Sequence, residues 1–99
     1  MKVVVAEKAW SDLDSALAIV LDRFGPVVAH RVERDVMEAI RSIAKYPRGG
    51  QVEPWLEHLG MGHRRVIVGP LKIIYRFEGN TILIPEIFDS RRNPSHMRG

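Results

Sequence analysis

The residues with the clearest chemical potential in this sequence are basic, and several lie near its C-terminal end. Residues 1 to 89 carry twelve basic and twelve acidic side chains, whereas the last ten residues carry Arg91, Arg92 and Arg98 and no acid. The formal net charge of +3 therefore comes entirely from this C-terminal tail, residues 90 to 99. A local excess of arginine suits phosphate groups or an acidic protein surface, although a solvated chain end has the same composition.

A second basic pair, Arg65 and Lys72, lies on two predicted neighbouring strands. The two side chains could present adjacent positive charges, but the solvent face of a sheet ordinarily carries such residues. An alternative is an RNA-binding sheet that uses Tyr75 and Phe77 as stacking platforms between Lys72 and Arg76. Isoleucines stand here where the usual recognition-motif strand has glycine, and this substitution argues against that alternative.

Other chemistry is excluded by composition. The chain has no cysteine, so it can form no disulfide, thiolate nucleophile or cysteine-based zinc site. His58, His63 and Glu57 are close in sequence, but they lack a third ligand at fixed spacing, which makes them weak candidates for metal ligands. We therefore expect neither a metal nor a cofactor.

The size and composition of the chain limit its architecture. Its 99 residues, 45% apolar and 27% charged, fit one compact domain, and we expect residues 1–99 to form it. The apolar run from Val3 to Ala6 is far shorter than a signal sequence core or a membrane span. These features predict a cytoplasmic protein that does not contact membranes.

Two amphipathic helices should follow a short strand at Lys2 to Ala6. Apolar residues recur at three- and four-residue spacing from Trp10 to Phe24 and again from Val28 to Ile43. Ser11 and Asp14 have the spacing of a variant capping box, although acidic residues in the first turn could instead favour the helix dipole. Gly25-Pro26 predicts a tight connection between the helices, and Tyr46-Pro47 predicts that the second helix ends near Lys45. We expect Trp10 on the apolar stripe to be a packing anchor, and Trp55 either to cover the edge of the core or to meet a partner.

After a stretch without clear period, residues 51 to 62, the apolar period changes to two. Arg65 to Val68, Leu71 to Glu78 and Thr81 to Phe88 are predicted to form a three-stranded meander, with a hairpin at Gly79-Asn80. In the middle strand, Leu71, Ile73, Tyr75 and Phe77 should face the helices while the alternate residues are partly wet. Pro85 predicts a bulge or an edge position because proline cannot donate to the ladder. The expected fold is α+β: an N-terminal strand, an antiparallel helical hairpin packed on an antiparallel meander, and a basic C-terminal tail.

Three segments carry a resemblance to a known superfamily. They are LDSALAIVLDRFG from Leu13, IRSIAKYPRGGQ from Ile40 and HRRVIVGPLKIIYRFEGNTILIPEIFDSRRNP from His63. Together they resemble the ParE/RelE superfamily of toxins from bacterial type II toxin-antitoxin modules. The resemblance covers nearly the whole chain and implies a growth-inhibiting toxin that is neutralised by a cognate antitoxin.

The RelE branch implies an endoribonuclease that cleaves messenger RNA on the ribosome. Such a reaction needs a proton acceptor, cations around the phosphate and a proton donor. The resemblance places His63, Arg65, Lys72 and Arg92 at basic positions of that site. The tail tyrosine found in many of these ribonucleases is missing, because Tyr46 and Tyr75 lie elsewhere, and His96 is its only conceivable stand-in.

The ParE branch implies a protein that poisons DNA gyrase and performs no chemistry itself. The long helical hairpin, the Pro47-to-Gly49 exit and Arg64-Arg65 at the start of the meander resemble ParE more closely than RelE, so we favour ParE. The resemblance then implies a ParD-like antitoxin as partner and contact with operator DNA only through that antitoxin. In either branch we expect target contacts from four basic residues: Arg65, Lys72, Arg91 and Arg92.

Overall fold

The computed structural model describes all residues from 1 to 99. In chain order the elements are β1 (Lys2–Val5), α1 (Glu7–Phe24), α2 (Pro26–Lys45), β2 (Gln51–Val52), a 3₁₀ segment (Pro54–Leu59), β3 (Arg64–Val68), β4 (Leu71–Glu78), β5 (Thr81–Asp89) and a 3₁₀ turn (Pro94–His96). The five strands form one sheet in the order β1-β5-β4-β3-β2. β1 pairs in parallel with β5, and every other pair is antiparallel. The predicted α+β class, helical hairpin and meander are confirmed, and β1 makes the sheet mixed.

The helical hairpin begins earlier than its sequence suggested. α1 starts at Glu7 after Ala6, which makes no side-chain cap, so the predicted capping box at Ser11 is wrong. The chain enters α1 directly from β1, where the amide of Ala6 donates to the carbonyl of Ile84 at 3.0 Å. The other boundaries are confirmed: Gly25, with φ of 85°, separates the two helices, and α2 ends at Lys45.

The main core lies between the hairpin and one face of the sheet. Its buried residues come from α1, α2, β4 and β5, and include Leu13, Val36, Ile43, Ile73, Tyr75 and Ile84. The hydroxyl of Tyr75 donates to the Pro47 carbonyl at 2.8 Å and accepts from the Gly50 amide at 3.0 Å. Tyr75 is fully buried against the helices, so the alternative of a stacking platform for RNA on this strand is excluded. Each of its hydrogen bonds contributes about 1 kcal/mol to holding the loop after α2.

The prediction that Trp10 anchors the core is wrong. Its side chain is 38% exposed, because the buried stripe of α1 follows Ala9, Leu13, Ala16 and Val20 and leaves Trp10 on the flank. Trp55 is 52% exposed at the surface of the 3₁₀ segment.

The second face of the sheet is covered where the sequence suggested a partly wet surface. Leu56 from the 3₁₀ segment and Met97 from the tail pack with Ile74 and Phe88 in a small second core. Since Met97 is only 5% exposed, the tail is not a solvated chain end: it crosses the sheet and packs on it.

A bulge in β5 determines which face of the sheet each later residue of that strand occupies. Ile74 pairs with Glu86, but Arg76 pairs with Leu83, so β5 contains one residue more than β4 across this interval. The extra residue falls next to Pro85, which confirms the predicted irregularity. After the bulge, Glu86 and Phe88 face the second core and Ile87 faces the hairpin.

Candidate target-binding surface

Arg65 and Lys72 lie on the same face of the sheet, and both contact one buried carboxylate. Lys72 Nζ donates to Glu53 Oε1 at 3.0 Å, and an Arg65 guanidinium nitrogen lies 3.8 Å from Glu53 Oε2. Arg65 also donates to the Val52 carbonyl at 2.6 Å. Each of these two basic side chains is only 18% exposed, so much of their charge is directed into the protein.

Glu53 is a structural residue that the sequence analysis missed. It is fully buried, and its Oε2 accepts from the Trp55 amide at 3.2 Å, which caps the 3₁₀ segment. A buried carboxylate is costly unless it is paired and hydrogen-bonded, and Lys72, Arg65 and the Trp55 amide together provide those contacts. The available signal was Pro54, because proline is common at the first position of a helical turn and so marks Glu53 as the residue at its N-terminus.

Arg91 and Arg92 are both exposed and lie in the segment Ser90–His96, which we call the arginine loop. Arg91 makes a two-pronged contact with Asp89, at 2.9 Å to Oδ1 and 2.6 Å to Oδ2. Hydrogen bonding from Arg91 lowers the pKa of the Asp89 carboxyl below its ordinary range. Arg92 has no acidic partner: its guanidinium lies 5.7 Å from the centre of the Phe88 ring and 3.5 Å from His96 Nδ1.

The structure brings together only some of the four basic residues that were predicted to contact a target. Lys72 lies opposite Phe88 in the sheet register, and Arg92 lies over the ring of the same Phe88, so these two cations flank one aromatic residue. Arg65 lies one strand further away, beside Glu53, and Arg91 is held by Asp89. Arg92 is therefore the basic side chain of the predicted set that is best placed to contact a target.

His63 is not at the surface. It is 2% exposed, its Nε2 lies 3.4 Å from the Gly99 carbonyl, and its Nδ1 has no hydrogen-bond partner. Burial lowers the pKa of His63 from its ordinary value of 6.5, and the positive charge of Arg76 lowers it further, outweighing the Gly99 carbonyl and Glu86. Among the residues considered for RNA cleavage, His63 is thus covered by the tail. Arg92 and His96 are exposed and lie next to each other.

A groove runs between α1 and the outer edge of β5. β1 pairs with β5 only from Thr81 to Ile84, which leaves the later part of β5 without a strand partner on that side. The groove has a volume of about 160 Å³ and is lined by Asp12, Ala16, Ile19, Ile87, Asp89 and Arg92. Asp12 satisfies one free edge group by accepting from the Ile87 amide at 3.1 Å. We call this feature the α1–β5 groove.

Two further observations concern metals and membranes. No three His, Asp or Glu side chains lie close enough together to hold a metal ion. Neither α1 nor α2 combines the length and the apolar character that a membrane-spanning helix requires.

The helical hairpin on one face of the sheet and the arginine loop that follows are the arrangement expected from the resemblance to small bacterial toxins. Residues 3–94 match the family described as "ParE toxin of type II toxin-antitoxin system, parDE". The chain belongs to this ParE toxin family. Its fold is similar to that of a chain described as "Chromosomal ParDE TA system from P. aeruginosa", with a TM-score of 0.73, 22% identity, and coverage of 90% of this chain and 95% of the other. No curated protein matches the sequence significantly.

Proposed function

We propose that this protein is the toxin of a ParDE module, that it inhibits growth in the cytoplasm by poisoning DNA gyrase, and that a ParD-like antitoxin neutralises it by direct binding. The observation that carries this proposal is the family match over residues 3–94. Operator DNA would be contacted only through the antitoxin.

The surroundings of the basic residues favour gyrase over RNA cleavage. A ribonuclease of this fold needs a proton acceptor and a proton donor that reach the same phosphate. His63 is buried under the tail, and Lys72 is paired with Glu53, so neither group is free to act on RNA. Arg92, without an acidic partner, is instead suited to an interface with an acidic protein surface.

The gyrase proposal is tested with purified proteins. Supercoiling of a relaxed plasmid by gyrase should be inhibited by the wild-type protein and less by Arg92→Ala. Arg31→Ala is the matched control, since Arg31 is an exposed arginine of α2 that is remote in sequence from the tail. Unimpaired supercoiling, together with loss of messenger RNA within minutes of expression in cells, would replace this proposal with the ribonuclease alternative. The adjacent Arg92 and His96 are the one feature that favours that alternative.

The α1–β5 groove is the site where the antitoxin is proposed to dock. It offers apolar contacts from Ala16, Ile19 and Ile87 beside the unpaired edge of β5, a combination that suits a helix followed by an extended segment. Ile19 is 41% exposed although it is apolar, as expected for a residue that a partner covers.

Co-expression with the product of the adjacent gene tests this docking site. The two proteins should elute together, and Ile19→Glu should weaken the complex by about tenfold or more, because a charge would enter an apolar contact. Val27→Glu is the control, since Val27 is 74% exposed at the start of α2 and outside the groove. A toxin that elutes alone would contradict antitoxin binding, whereas equal losses in both variants would contradict the location.

A further inference from the structure

Glu86 is a buried acidic residue that neither lines the α1–β5 groove nor contacts Arg91 or Arg92. Its Oε1 accepts from Lys8 Nζ at 3.0 Å, and its Oε2 accepts from the backbone amides of Arg98 at 2.9 Å and Gly99 at 3.0 Å. The side chain is only 2% exposed. One carboxylate therefore connects the start of α1, the middle of β5 and the chain beyond the arginine loop.

The same part of the tail has an apolar anchor. Met97, directly after the 3₁₀ turn, packs with Leu56, Ile74 and Phe88 on the second face of the sheet. Charge-assisted hydrogen bonds to Glu86 and burial of Met97 thus act on three consecutive residues, 97 to 99. Together they give this end of the arginine loop a defined position.

The other end of the arginine loop is anchored independently. Ser90 donates to the Pro70 carbonyl from its amide at 2.8 Å and from its hydroxyl at 2.7 Å. Between the two anchors, Asn93 Oδ1 accepts from the Ser95 amide at 3.0 Å, which shapes the turn. A short segment held at both ends has few conformations, and it loses this restriction when either end is released.

Arg92 depends on this arrangement because few contacts of its own restrict it. Its guanidinium lies 5.7 Å from the centre of the Phe88 ring and 3.5 Å from His96 Nδ1, and both contacts are weak. A long side chain of this kind can bind a target efficiently only if its backbone is already in place.

We propose that Glu86 is a positioning residue for the arginine loop, which it holds in one arrangement for target binding without itself touching the target. This inference rests on the proposed function, since it assigns target contact to Arg91 and Arg92. The pKa of Glu86 agrees with the geometry: burial alone would raise it, but the Gly99 and Arg98 amides and Lys8 outweigh burial and lower it.

A double-mutant cycle tests the proposal. Glu86→Gln should raise the concentration of toxin needed for half-maximal inhibition of gyrase supercoiling by about tenfold, because target binding must then order the loop. In the Arg91→Ala/Arg92→Ala background, Glu86→Gln should change that concentration by less than about twofold, because its effect acts through the two arginines. A residue that matters only for general stability would give additive losses, and that result would overturn the proposal.

Two further measurements and two further variants keep the outcomes distinct. Thermal unfolding should leave Glu86→Gln folded at the assay temperature, and backbone ¹⁵N relaxation should show faster motion of residues 91 to 96. If Glu86→Gln does not fold, Glu86→Asp carries the same cycle, because the shorter side chain keeps its charge but withdraws the carboxylate from the Arg98 and Gly99 amides. Glu38→Gln, at an exposed glutamate of α2, should match the wild type in every measurement.

Failure of the proposed function would give results that differ from those expected if only the positioning role of Glu86 were wrong. If the wild-type protein does not inhibit gyrase, the cycle is measured on growth arrest in cells, where the same pattern is expected. If Arg91→Ala/Arg92→Ala retains full toxicity, the arginines are not the target contact and the positioning role is also wrong. If that double variant loses toxicity while Glu86→Gln retains it with an unchanged loop, only the positioning role is wrong.

Discussion

Arg92 and Lys72 lie on either side of Phe88, yet their surroundings give them different roles. Lys72 neutralises the charge of the buried Glu53 carboxylate through a hydrogen bond, whereas Arg92 faces solvent beside His96. Two residues that look equivalent as basic positions in the sequence thus divide into a structural residue and a candidate contact.

The prediction at this scale concerns Arg92 in cells. Arg92→Ala should reduce growth arrest, with a loss of roughly 1 to 3 kcal/mol in target binding, the usual range for an interface arginine. Its thermal stability should stay close to that of the wild type, because Arg92 is exposed. Growth arrest and thermal unfolding measured beside Arg31→Ala would check this, and a well-folded Arg92→Ala protein with full toxicity would show that the tail charge has no role in toxicity.

The loop between α2 and β2 is positioned by a residue of β4, Tyr75. The Tyr75 hydroxyl joins the Pro47 carbonyl to the Gly50 amide, and Arg64 donates to the Gly50 carbonyl at 2.6 Å. Gly50 is therefore held through both its amide and its carbonyl, and its backbone lies close to the hydroxyl end of the Tyr75 ring.

This close approach predicts a strong effect of a small substitution. In Gly50→Ala the new methyl group would overlap the Tyr75 hydroxyl and lie 2.9 Å from the Arg65 carbonyl, so the loop must shift. We expect a loss of about 1 to 3 kcal/mol in the free energy of unfolding, typical of overpacking. Gly49→Ala should cost less, since its new methyl group would meet only Tyr46, at 3.1 Å or more. Urea unfolding of the two variants measures the difference, and equal stabilities would contradict the close approach.

At the scale of the whole molecule, the buried titratable groups predict how stability changes with pH. The folded state lowers the pKa of His63 below 6.5, so as the pH falls below that value the unfolded chain binds a proton that the folded chain resists. The folded state also lowers the pKa values of Glu86 and Asp89, whose ordinary values are 4.5 and 3.8. Their stabilisation is present above those values and is lost as the pH falls further.

Stability should therefore decrease in two stages on acidification. His63→Gln should flatten the first stage, which begins as the pH falls below about 6.5, because glutamine does not titrate but can still donate to the Gly99 carbonyl. The second stage, below about pH 4.5, should remain in this variant because Glu86 and Asp89 are unchanged. Urea unfolding of both proteins across this range gives the two curves, and identical slopes in the first stage would show that His63 does not titrate as its burial implies.

The sequence by itself determined both helices, four of the five strands and the family, but it did not predict β2 or the 3₁₀ segment Pro54–Leu59. Apolar spacing of three and four residues identified α1 and α2, and alternation identified β3, β4 and β5, because helix and strand geometry repeat within one element. Pro47 and Pro85 marked a helix end and a bulge for equally local reasons, since proline restricts its own neighbourhood. Local patterns also carried the resemblance that the family match confirmed.

Only the tertiary structure decided which charged residues remain free. Glu53 meets Lys72 nineteen positions away, and Glu86 meets Lys8 across seventy-eight positions. No local sequence pattern predicts these two contacts. They depend on strand register, on the bulge in β5 and on the path of the tail across the second face of the sheet. For the same reason His63 appeared available in the sequence and is buried in the fold: the groups that cover it come from a distant part of the chain.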